Sequence, residues 1–210
     1  MSDNGEVVGW SATAAGLTHP FRWAGGAMTD LGTLDQVDGG WGIATAVNRF
    51  GTVAGQSRRN GVARAVRRQH GVITDLGTLG GGTSFATAIN DRGDIAGLVL
   101  DAGAAQAALW RHGRLQVIGH LPGGTASGTN DINDWGVVLG AGNVSSGSVE
   151  DHAFLWRRGV FRDLSGAEVP NGARSLDNGN AIIGVVPGPA AAPFRPDAGA
   201  GSPAAAPRGR

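Results

Sequence analysis

The stretch that decides the fold is His70-Gly-Val-Ile-Thr-Asp-Leu-Gly-Thr-Leu-Gly-Gly-Gly-Thr-Ser-Phe-Ala-Thr-Ala-Ile-Asn-Asp-Arg-Gly-Asp-Ile-Ala-Gly97, because most of the chain before residue 187 copies it. Met28-Thr-Asp-Leu-Gly-Thr-Leu34 returns as Ile73-Thr-Asp-Leu-Gly-Thr-Leu79, and in altered form as Gln116–Leu121 and Arg162–Leu164. A second marker, Asn-x-x-Gly-x-x-x-Gly, occurs at Asn48/Gly51/Gly55, Asn90/Gly93/Gly97 and Asn133/Gly136/Gly140. It is degraded at Asp177/Asn180/Gly184, and its tail opens the chain at Gly5/Gly9. The last glycines fall at 9, 55, 97, 140 and 184, so the steps are 46, 42, 43 and 44 residues. A third marker is an aromatic-rich pentad: His19–Trp23, Gln106–Trp110 and His152–Trp156, with Arg64-Ala-Val-Arg-Arg68 in the second copy.

Within one period the pattern predicts four short strands. Ala107–Trp110 and Arg114–Ile118 form a hairpin around Gly113, and Gly26, Gly71 and Gly159 stand at the same offset, where a positive φ costs glycine nothing. Ser84–Ile89 and Asp94–Val99 supply the other two strands, with Phe85, Thr87 and Ile89 expected on the buried face. Asn90-Asp-Arg-Gly93 joins them as a type I turn, and the turn alone accounts for its Asn and Gly. Four strands in 42–46 residues match a propeller blade. The expected fold is all-β: tandem four-stranded repeats forming a small β-propeller of four to five blades. It covers residues 1–186, with a partial unit at 3–11 and about four units after it. Ala191–Pro196 echoes the pentad, and in a ring the two chain ends would meet. Residues 187–210 are Pro-, Ala- and Gly-rich and read as a disordered tail.

These motifs resemble the HAF repeat, named for the triplet that stands here as His152-Ala153-Phe154. The resemblance covers roughly residues 3–186 and implies a bacterial protein that is extracellular or attached to the cell surface. It carries no established activity.

Composition bounds the function. Glycine fills 38 of 210 positions, against a usual ~7%, which disfavours long helices. The 17 basic residues, all Arg, balance 17 acidic ones, so no global attraction to nucleic acid is expected. There is no Cys, which excludes disulfides and thiolate metal sites. No apolar run reaches the ~18 residues that span a bilayer. No basic and apolar signal segment follows Met1, so the sequence is also read as a cytoplasmic protein or a fragment of a longer array. Neither a cofactor nor a metal is expected, and the chain reads as a monomer.

Candidate binding residues are those where one copy departs from the others. Trp41 lies in a connection where other units have Thr83 and Ala126, and Trp135 sits in a turn opposite Phe50 and Arg92. Exposed Trp offers an aromatic platform for a glycan, peptide or protein. Arg64, Arg67 and Arg68 belong to the main basic cluster, with Arg58 and Arg59, and displace the aromatic pattern of the second unit. The reading is a non-enzymatic scaffold that presents variable loops. The alternative is a propeller hydrolase or lyase acting on polysaccharide or peptide, for which Asp131, Asp134, His120 and Asp151 are the non-repeated candidates.

Overall fold

Glycine and small residues dictate short strands and tight turns throughout. The computed structural model describes residues 1–35, 40–146, 151–164 and 172–185. The predicted strand at Ala191–Pro196 and the tail at 187–210 lie outside the described residues.

Among the described residues five antiparallel sheets follow one another along the chain. The first has three strands: β1 (Val7–Ala12), β2 (Thr18–Ala24) and β3 (Ala27–Asp30). Three four-stranded sheets come next: β4 (Gly42–Val47) to β7 (Val72–Asp75), β8 (Ser84–Ile89) to β11 (Arg114–Gly119), and β12 (Ser127–Ile132) to β15 (Val160–Asp163). Their middle strands are β5 (Val53–Arg59) and β6 (Val62–Gln69), β9 (Ile95–Asp101) and β10 (Ala104–Arg111), β13 (Val138–Asn143) and β14 (Asp151–Arg157). The fifth sheet pairs β16 (Gly172–Leu176) with β17 (Ile182–Val185). Each full sheet therefore begins two strands later than the unit marked by the pentad, and the opening segment joins the first pentad as one sheet.

The hairpins are built as the glycines require. Asn60-Gly61, His70-Gly71, His112-Gly113 and Arg158-Gly159 all have positive φ at both positions, the two-residue loop that matches strand twist. His70 and His112 thus occupy the same loop position.

Both faces of the sheets are used, so apolar layers alternate with sheets. Val8, Leu31, Ala44 and Val53 lie between the first two sheets. Ala54, Ala65, Ile95, Val99 and Trp110 fill the second layer. Leu109, Leu121, Val138, Phe154 and Trp156 fill the third, and Leu139, Leu155, Leu164 and Ile182 the fourth. In the pentad, alternate residues serve opposite layers: Trp110 packs back toward the second sheet and Leu109 forward toward the fourth.

The leading strands β4, β8, β12 and β16 lie side by side. Here the expected facing holds for Ile89, which is buried, and fails for the two residues before it on that face. Ser84, Ala86 and Ala88 are buried, whereas Phe85 and Thr87 are only half-buried. Close approach between leading strands leaves room only for small side chains. Each also carries a bulge, between Ala44 and Ala46, Ala86 and Ala88, Thr129 and Asp131, and Ala173 and Ser175. The bulge turns the intervening residue toward the next sheet.

Candidate functional site

The turns after the leading strands gather at one end of the molecule. Asn48 Oδ1 accepts the amides of Phe50 (3.1 Å) and Thr52 (3.0 Å), and Gly51 supplies the positive φ, 73°, that closes the turn. Asn90 and Asn133 repeat the arrangement. The Asn amide does something more. Asn48 Nδ2 donates to the Asn90 carbonyl (3.1 Å), Asn90 Nδ2 to the Asn133 carbonyl (3.0 Å), and Asn133 Nδ2 to the Asp177 carbonyl (3.1 Å). One side chain thus closes its own turn and fastens it to the next.

A parallel set uses the following residue. The amide of Arg49 donates to Asp91, that of Asp91 to Asp134, and that of Asp134 to Asn178, at 2.8–3.0 Å. The opening turn joins through Asn4, whose Nδ2 donates to the Arg49 carbonyl (2.7 Å).

These turns surround a depression of about 350 Å³, lined by Ser2, Asn48, Asn90, Asn133 and Asp177 with Asp91, Asp131 and Asp134. Asp131 accepts from Ser175 Oγ (2.9 Å) and the Leu176 amide (2.8 Å). Asp134 accepts from the Asp91 amide and from Asn178 Nδ2 (2.6 Å). Both carboxylates therefore act as links between sheets. His120 and Asp151 do not line the depression.

The third position of the turns points outward and varies: Phe50, Arg92 and Trp135. Phe50 is 63% exposed and Trp135 55%. Arg49 lies 4.8 Å from the Phe50 ring centroid, and Arg92 lies 5.9 Å from that of Trp135. Trp135 Nε1 donates to the Asn178 carbonyl (2.9 Å), which fixes the ring.

Trp41 stands at the opposite end of the strands, just before β4. Its carbonyl accepts from Ser57 Oγ and the Arg58 amide, and the Arg58 guanidinium stacks 5.2 Å from its ring. It lines a separate cleft with Thr18, Asp35 and Arg58. The structure does not bring Trp41 and Trp135 together.

The three arginines do not converge either. Arg64 donates to the Gly81 carbonyl (3.0 Å). Arg68 pairs across from Val53 and enters the first apolar layer, beside Pro20, Leu31 and Ile73. Burial lowers its pKa, and the Asp30 carboxylate opposes that shift. Arg67 lies opposite Ala54, whose side chain belongs to the second layer. Burial pushes the Asp30 carboxyl up, yet the Gly32 amide, His19 and Arg68 together hold it below its usual range. His19 Nδ1 lies 2.8 Å from Asp30, and His152 Nδ1 3.1 Å from Asp163, so the leading His of the pentad pairs with the repeated Asp. Asp30 and Asp75 also accept the amide two residues on, from Gly32 and Gly77.

Sequence reasoning set Phe50 and Arg92 at the same turn position as Trp135 but did not name them as binding residues, and it missed the bridging role of Asn48, Asn90 and Asn133. The second was available in the residue type. Closing a turn needs only an acceptor, which Asp supplies as well. Three Asn in succession call for the donor too.

No protein-family model matches this chain, and no curated protein matches it in sequence.

Proposed function

We propose that this chain is a non-enzymatic display scaffold, in which fixed turns present variable side chains to a glycan, peptide or protein partner. The observation that carries the reading is the third turn position. The Asn frame behind it is repeated and fully hydrogen-bonded, while Phe50, Arg92 and Trp135 on top of it differ and face solvent. An exposed ring held by a rigid backbone loses little conformational freedom on binding. Asp131 and Asp134 are occupied with amides and hydroxyls, which favours this role over hydrolase or lyase chemistry.

The finer architecture belongs to the same proposal. Five successive sheets, with leading strands side by side and five turns lining one depression from Ser2 to Asp177, fit a five-bladed propeller. The resemblance to HAF repeats assigns such a scaffold to the cell exterior.

The test is to probe the purified chain on glycan and peptide arrays, alongside Trp135→Ala and Phe50→Ala. Signal on the same spots should fall about tenfold in either variant. Melting temperature should stay within about 2 °C, since neither ring belongs to an apolar layer. Wild-type signal retained by both variants would remove the turns from the binding surface.

A further inference from the structure

Arg92 stands in the middle of the exposed row Phe50, Arg92, Trp135, and its charge is unanswered. The side chain is exposed, and among the described residues no carboxylate lies within ion-pair distance of its guanidinium. The charged groups around it are already engaged. Arg49 and Asp91 pair with each other at 3.3 Å. Asp134 takes the Asp91 amide and Asn178 Nδ2, and Asp131 takes the Ser175 hydroxyl and the Leu176 amide. Arg92 instead lies 5.9 Å from the centroid of the Trp135 ring. A guanidinium that covers a ring with its face keeps its in-plane N–H groups free, and these match a carboxylate two at a time.

We propose that the turn rim binds an acidic polysaccharide, with a sugar carboxylate on Arg92 and the C–H faces of the neighbouring sugars on Phe50 and Trp135. The inference rests on the display reading and names its ligand.

The row itself selects a sugar chain. It runs aromatic, cationic, aromatic over three successive turns, each fastened to the next by the same Asn bond. A repeating polymer meets such a frame with the same groups at every step. The rings are already held, Trp135 by its Nε1 bond to the Asn178 carbonyl (2.9 Å) and Phe50 beside Arg49 (4.8 Å). Stacking on them therefore costs little further ordering. A sugar offers an apolar face for the ring and a polar edge for the solvent side. Asp131 and Asp134 line the depression, so an acidic chain is kept out of the hollow and runs along the rim.

The test is calorimetric titration of the purified chain at about 50 mM salt, where screening is modest. The probes are hexagalacturonate, hexaguluronate and a hyaluronan hexamer, each beside a twin whose carboxylates are reduced to alcohols, and a hexaglutamate peptide. At least one acidic hexasaccharide should bind about tenfold more tightly than its twin. Arg92→Gln should remove that preference. It keeps the backbone amide that bonds Asn90, so the turn is retained. Trp135→Ala should weaken acid and twin alike by about tenfold. Arg58→Gln, at the opposite end of the strands, should change neither. Because acid is read against twin within each variant, loss of folded protein cannot imitate the result.

Equal binding of acid and twin, a preference that survives Arg92→Gln or falls equally in Arg58→Gln, or no binding to any of the three saccharides would overturn the proposal. Tighter binding to hexaglutamate than to every acidic saccharide would give Arg92 to acidic peptides, which also overturns it. The display reading fails separately, when Trp135→Ala and Phe50→Ala both keep the wild-type array signal.

Discussion

Asn90 shows how much one side chain carries. Buried to 3% exposure, it accepts the Arg92 and Asp94 amides and donates to the Asn133 carbonyl. Asn90→Ala leaves one buried and one half-buried amide without an acceptor and one carbonyl without a donor. We expect a loss of about 2–4 kcal/mol, measured by denaturant unfolding. Asn90→Asp keeps the acceptors but removes the donor and buries a charge, so it should cost a similar amount. The turn itself was legible in sequence, because Asn-x-x-Gly has a local cause. The bridge was not, because its partner lies 43 residues away and is a backbone atom. Trp135 could be placed in its turn from sequence for the same local reason. That Phe50 and Arg92 share its setting followed from the repeat and was read there.

At the scale of the element, strand existence was read correctly among the described residues and facing only in part. Alternation in Ser84–Ile89 pointed to Phe85, Thr87 and Ile89 as buried; Ile89 is, but the bulge and the crowding of leading strands bury Ser84, Ala86 and Ala88 in place of the other two. Periodicity reports which residues share a face and leaves open how near the neighbour comes. The last glycine of each marker has a related cause. A Cβ on Gly140 would collide with the Phe154 ring and the Gly128 carbonyl, and one on Gly97 would lie 2.7 Å from Trp110. This glycine makes space for the pentad aromatic across the strand pair. Gly140→Ala should destabilise by about 1–3 kcal/mol. Adding Phe154→Leu should recover part of that loss in thermal melts, because the smaller side chain relieves one of the two collisions.

The whole molecule is a series of layers of unequal strength. The first lacks large aromatics, because the second pentad offers Val66 and Arg68 where the third offers Ala108 and Trp110 and the fourth Phe154 and Trp156. In an array held by nearest-neighbour contacts, stability follows the local interface. Native-state exchange should therefore show β1–β3 opening at lower free energy than β9, β10, β13 and β14. Uniform protection across all five sheets would contradict that order. The sequence made five related units visible and could not place Trp41 and Trp135 at opposite ends. Their separation depends on where each falls along its strand, and both were judged by departure from the repeat alone.

The amide relay from Asn48 to Asp177 also gives the array a polarity. Every Asn passes its donor forward, and a carboxylate at Asp177 has none to pass. Units that bear Asn are therefore interchangeable links, and one more or one fewer leaves every other link intact. A unit that bears Asp breaks the relay anywhere but at the receiving end. Unequal recombination between such similar stretches of gene would keep the relay in every added unit that bears Asn, while changing the number of turns that surround the depression.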